Sequence, residues 1–276
     1  MNVLSDKMRH GAYRLKASAH FVIMPQHVTT SHMPRQPNIL LIHSDQHRYD
    51  CVGANGAQLV RTPTIDRLAR EGVTFSHAFT PCPVCSPARA SLLTGTWATT
   101  HGCMCIPNTE LYRSAQAQLP TWTALFKQAG YWLGHVGRFH GEVTGALTDH
   151  GVDDYIGTWP YAEWRKQQGL PPQTKTRGLF GAIDRDCPPE KSSLAWQADQ
   201  VVRMLETAVS GGAPFVVRWD PLEPHLPCHP IKSYADLYAP SSIPPWPSWP
   251  DPLEHKPLPQ RRQWRMWGIR DWTWQQ

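Results

Sequence analysis

The run Asn38-Ile39-Leu40-Leu41-Ile42-His43 is almost continuously apolar over strand length and ends in the polar groups Asp45 and Gln46. A strand buried on both faces reads this way, and the C-terminal edge of an open parallel sheet is where ligands bind. Thr62-Pro63 opens a helix with Asp66 in its first turn, Ile65, Leu68 and Ala69 along one side, and Gly72 at its end. Val73 to Thr80 reads as another strand. From Ser86 to Thr94 the pattern predicts a helix capped by Ser86, with Pro87 in its first turn and Gly95 past its end, so that Cys85 immediately precedes the helix N-terminus. Thr121 to Ala129 predicts an amphipathic helix carrying Trp122, Leu125 and Phe126 and stopped by Gly130, after which Tyr131 to Val136 returns as a strand. Leu194, Ala198, Val201, Val202, Leu205 and Val209 stripe a longer helix that precedes the strand Phe215 to Trp219. This alternation predicts an α/β fold: a mostly parallel sheet flanked by helices on both faces.

Beyond Asp220 the pattern changes. Twelve prolines fall between Pro221 and Pro259, with Trp246, Trp249, Trp264, Trp267, Trp272 and Trp274 among and after them. That much proline opposes regular helix or central strand, while the tryptophans need a surface to bury against. Residues 221–276 therefore read as a segment wrapping around the preceding domain, 37–220, with a helix starting near the chain's end. Residues 1–36 have no sustained period and read as a weakly structured extension.

Composition narrows the classes. Apolar residues make up 41% of 276, and no run nears the roughly 18 apolar residues of a membrane span. Phe21 to Met24 is too short for a secretory hydrophobic segment, so a cytoplasmic protein with no membrane association is expected. A net charge of +5 suits an anionic ligand, but there is no dense basic block that would imply nucleic acid. Seven cysteines, an odd number, leave at least one thiol outside any disulfide framework.

Cys85-Ser86-Pro87-Ala88-Arg89 is the sharpest local feature. A thiol at a helix N-terminus is expected to have a lowered pKa and an anion site in front of it, and Arg89, one turn on, could clamp a tetrahedral oxyanion. The alternative is a small buried hydrophobe beside a surface arginine. Asp45 and Gln46 offer the hard oxygens that suit Ca²⁺ or Mg²⁺, although such pairs also serve as turns and caps. His140 and His225 each follow a predicted strand, at the end where parallel sheets place their chemistry; either could instead be an ordinary imidazole.

The segment Cys85-Ser86-Pro87-Ala88-Arg89-Ala90-Ser91-Leu92-Leu93-Thr94-Gly95 resembles the signature of the sulfatase family. So do Pro37 to Ile42 with Ser44-Asp45-Gln46, Thr62 to Ala69, Gly130-Tyr131 with Gly137-Arg138-Phe139-His140, and Pro224-His225-Leu226-Pro227, in the family's order and spacing. The resemblance spans residues 37–276 and implies an alkaline-phosphatase-like fold, here lacking its C-terminal part. It further implies a sulfuric ester hydrolase acting on small-molecule sulfate monoesters by double displacement. Its nucleophile would be a formylglycine made from Cys85 by a separate formylglycine-generating enzyme, a partner in maturation. By the same resemblance Asp45, Gln46 and the oxygen at position 85 hold one divalent ion, commonly calcium, with magnesium or manganese as alternatives. Arg89, Arg138, His140 and His225 then surround the anion. Arg138 departs from the family's usual lysine, replacing a compact donor by a rigid fork. The family's later metal ligands and substrate lysine have no counterpart up to Gln276, so weak ion binding and little activity are expected of this chain alone. Phosphonate or phosphate monoester hydrolysis on the same architecture is the second reading. A non-catalytic zinc module through Cys82, Cys85, Cys103 and Cys105 is a third.

Overall fold

The structure, a computed structural model, describes residues 36–266 apart from 108, 111, 117, 175–179, 247, 248 and 250, and apart from the side chain of Trp264. The expected extension before Gln36 and the tryptophans at 267, 272 and 274 lie outside the described residues. Four strands, β1 (Ile39–Ile42), β2 (Trp132–Gly137), β3 (Asp154–Ile156) and β4 (Phe215–Asp220), form one sheet in the order β1-β4-β2-β3, every pairing parallel. The connections carry the helices α1 (Pro63–Glu71), α2 (Cys85–Thr94), α3 (Ala98–His101), α4 (Trp122–Gln128), α5 (Pro160–Gln167) and α6 (Ser193–Gly211); α7 (Lys232–Ala235) and α8 (Leu258–Met266) follow β4.

Two-residue periodicity in β4 sets up both faces of the sheet. Phe215, Val217 and Trp219 point one way and Val216, Arg218 and Asp220 the other. The first set packs with Val136 against Val201, Met204 and Ala208 of α6. On the opposite face Val216 joins Leu133, Tyr131 and Ile39 beneath Trp122 and Phe126 of α4. Trp122 also touches the adjoining cluster of Ala90, Leu93 and Cys103 under α2. Helices thus cover both faces, as the alternating pattern predicts.

Four local expectations are corrected. Among the described strands β1 lies at the edge, and Leu40 and Ile42 are 47% and 52% exposed, because a continuous apolar run does not reveal how many neighbours a strand has. Residues 73–80 form no strand: no described strand pairs with the segment, which runs irregularly through a turn at 76 and 77 with Phe75 and Phe79 exposed. The buried face of α6 comprises Trp196, Gln197, Gln200, Val201, Met204 and Ala208, leaving Leu194, Val202 and Val209 largely exposed. The sheet chooses this rotation. Gly134 opens a notch for Met204, whose sulfur lies 2.3 Å from where a Cβ would sit, and the Trp219 indole donates to Gln197 Oε1 at 3.3 Å. Finally, proline does not bar α8, because Pro259 occupies its second position, where no intrahelical N–H is needed.

The segment after β4 touches the loop after β1. The Arg48 guanidinium carbon lies 4.0 Å from the Trp246 ring centroid, and the Arg61 N–H donates to the Tyr238 hydroxyl at 3.0 Å. Nearer the site, β2 ends in Gly137 at φ +111°, where a Cβ would sit 2.2 Å from the backbone oxygen of Asp220. Gly137→Ala is expected to destabilise the fold by about 2 kcal/mol or more, from the left-handed backbone and the clash together, read as a lower urea midpoint.

Candidate active site

Cys85 is the first residue of α2, and Val84, not Ser86, takes the cap position. The Ser86 hydroxyl instead donates to the backbone oxygen of His140 at 2.8 Å, tying α2 to the loop after β2. The expected lowering of the Cys85 pKa is overturned. Burial first, then the Asp45 carboxylate, push the thiol up, and the opposing charges of Arg138 and Arg89 do not compensate. Asp45 Oδ1 lies 3.9 Å from Cys85 Sγ, close enough for its charge to add to the effect of burial. Cys85 is therefore a neutral thiol at neutral pH.

Ligand atoms of Asp45, Cys85 and His225 lie within 4.8 Å of one another, and among the described residues this is the group of histidine, cysteine and acid side chains placed to hold a metal ion. Cys82, Cys103 and Cys105 are not part of it, so the zinc arrangement through four cysteines is corrected: the helix turns Cys85 toward Asp45 instead. All seven cysteines are free thiols. Gln46, exposed and at φ +56°, stands beside Asp45 on a cleft of about 1050 Å³ that also takes in His43, Cys85 and Arg89.

Arg138 and His140 sit side by side, with Arg138 Nη2 3.1 and 3.3 Å from the two ring nitrogens. Burial, then the positive charges of Arg138 and Arg89, hold the His140 imidazole down at about 4, so at neutral pH it is an uncharged acceptor. Its backbone is held from both sides: the N–H donates to Glu142 Oε2 at 2.6 Å while the carbonyl accepts from Ser86.

Arg89 departs from the expected clamp. It is 2% exposed, and its guanidinium reaches Asp45 Oδ2 (3.1 Å), Asp220 Oδ2 (3.0 Å) and the Arg138 carbonyl (3.4 Å). It braces the floor of the site. Asp220, fully buried at the end of β4, also meets His43 Nδ1 at 3.2 Å, His135 Nε2 at 3.2 Å and Arg218 Nη2 at 2.5 Å. The last two are close but off-axis, so that Arg218 acts through its charge rather than as an aligned hydrogen bond. Burial alone would push Asp220 up. Arg218, with the His135 and His43 contacts, outweighs it and holds the carboxyl well below its usual range.

Asp220, Arg218, His135, His43 and Glu142 were not singled out from sequence. One signal was available: Arg218 and Asp220 alternate within an otherwise apolar strand, which places opposite charges two residues apart on one covered face. Register then sets His135 beside Arg218 and Gly137 beside Asp220.

Comparison with known proteins follows the same lines. The family model described as Sulfatase matches residues 37–245. Iduronate 2-sulfatase of Mus musculus is 32% identical over 222 residues, which cover 73% of this chain and 37% of the relative; an arylsulfatase of Clostridium perfringens is 28% identical over 244 residues, covering 76% and 47%. In structure, a phosphonate monoester hydrolase of Agrobacterium radiobacter superposes with a TM-score of 0.61 at 24% identity, covering 76% of this chain and 45% of that one, a likeness of fold. The chain spans less than half the length of these relatives. No helix among the described residues is long and apolar enough to cross a membrane. With a family model matching residues 37–245, most of its length, the chain belongs to the sulfatase family.

Proposed function

We propose that this chain cleaves sulfate monoesters, with Cys85 matured to formylglycine by a separate generating enzyme and a divalent cation, calcium by preference, held at Asp45 and Gln46. The observation that carries this reading is the convergence of Asp45, Cys85 and His225 at the C-terminal edge of the sheet. The donor set fits a hard cation: Asp45 Oδ1 and the Gln46 amide oxygen suit calcium, and position 85 would add an oxygen once its soft sulfur is replaced. Two protein oxygens fall short of the six to eight that calcium takes, so binding is expected to be weak. When present, the hydrated aldehyde supplies a nucleophilic oxygen and the cation withdraws charge from the ester.

The chain's own side chains prepare the rest. A raised thiol pKa makes unmodified Cys85 a poor direct nucleophile. Arg138 lies beside His140 with its fixed charge available to sulfate oxygens, while neutral His140 accepts a proton or a hydrogen bond. His225 faces Cys85 from the opposite loop, where its imidazole can donate to the departing alcohol oxygen.

The test is to produce the chain with a formylglycine-generating enzyme, supply calcium, and compare initial rates on an aryl sulfate and the matching aryl phosphate. Slow sulfate turnover, in keeping with a weakly held cation, that falls to background in Cys85→Ala is the expected result. A preference for phosphate would transfer the assignment to phosphonate or phosphate monoesters, which present the same tetrahedral anion. No turnover on either ester would sink the proposal for this chain.

A further inference from the structure

We propose that Asp220 is a positioning residue for Asp45, acting through Arg89: by occupying one arm of the guanidinium, it leaves one oxygen of Asp45 free for a cation. The inference rests on Asp45 being a cation ligand. Arg89 bridges two carboxylates, one nitrogen to Asp220 Oδ2 at 3.0 Å and the other to Asp45 Oδ2 at 3.1 Å. Asp45 thus meets Arg89 through Oδ2, while Oδ1 turns toward Cys85 Sγ at 3.9 Å, in the space shared with His225. The planar guanidinium strongly favours a two-point fork on a single carboxylate. Left with Asp45 alone, Arg89 would close on both its oxygens and compete with the cation.

Asp220 prevents this because it cannot move. It is fully buried, and it is fixed by Arg218 on its own strand, His135 on β2 and His43 at the end of β1. Arg89 is equally enclosed at 2% exposed, so water cannot stand in for a lost partner. The same carboxylate accepts from His43 Nδ1 through its other oxygen, orienting a ring that lines the cleft beside Asp45.

The experiment titrates the purified chain with Ca²⁺ by calorimetry, alongside Asp45→Asn, Asp220→Asn and Arg89→Lys. Near-UV circular dichroism establishes that each variant is folded. Wild-type binding that Asp45→Asn abolishes and that Asp220→Asn weakens 10- to 100-fold is expected, the range typical of partners that orient a ligand. Arg89→Lys, which puts one nitrogen in place of the two that Arg89 spreads between Asp220 and Asp45, should weaken it similarly and stands in if Asp220→Asn does not fold. Wild-type affinity in either folded variant would overturn the proposal. If the wild-type chain binds no Ca²⁺, the cation-site reading fails separately, and the ¹⁵N spectrum of the arginine guanidinium groups decides the positioning role. A resolved Arg89 signal, assigned by its loss in Arg89→Lys, should shift or broaden in Asp220→Asn; an unchanged signal would refute it.

Discussion

Arg89→Met is expected to lower the unfolding free energy by about 3–5 kcal/mol, the cost of breaking a buried ion pair by removing one partner. The guanidinium lies between the carboxylates of Asp45 and Asp220, which are 8% and 0% exposed. Methionine fills most of the volume but leaves both acids without their shared donor. Asp220 keeps Arg218 and the two histidines, so the loss falls mainly on Asp45. Arg67→Met is the control: it breaks an exposed pair with Glu71 at 3.4 Å and should change stability by no more than about 0.5 kcal/mol. Urea unfolding at pH 7 gives both numbers, and equal losses in the two variants would sink this account of the floor.

Acidification from pH 6.5 toward 4 is expected to unfold the chain progressively, with His140 as a main contributor. Its folded pKa, about 4, lies below the ordinary 6.5 because the ring is desolvated and faces Arg138 and Arg89. The unfolded chain therefore takes up the proton first. Stability is fully present above 6.5 and is lost as pH falls through the folded value, by up to about 1.4 kcal/mol per pH unit for each proton so linked. His135, buried under Arg218 with its pKa also lowered, adds in the same direction. Glu142 opposes them: burial raises its pKa, so protonating it favours the folded state as pH drops. Urea midpoints measured across this range should flatten in His140→Gln, and a profile identical to wild type would contradict the assignment.

A charge network of this kind is only half visible in a sequence. The helix at Cys85, the helix opened by Pro63 and the strands at 132–137 and 215–220 each follow from local causes: stop residues, proline placement and periodicity. Those causes act within a few residues, and so they were legible. Segment 73–80 shows where they stop, since its apolar character is that of a strand but no neighbour among the described residues pairs with it. Likewise the stripe on α6 was read from the helix alone, while Gly134 and Trp219 on the sheet decide which side is buried.

By itself, then, the sequence determined the alternating architecture, the family signature and the residue types gathered at one sheet edge. Tertiary structure alone decided what each charge does. Arg89 became a brace rather than an open clamp because β4 delivers Asp220 beneath it, 131 residues away in the chain. Cys85 became a neutral thiol because packing buries it and Asp45 arrives from the end of β1 beside it. Electrostatic effects depend on distance and burial, and sequence separation carries neither.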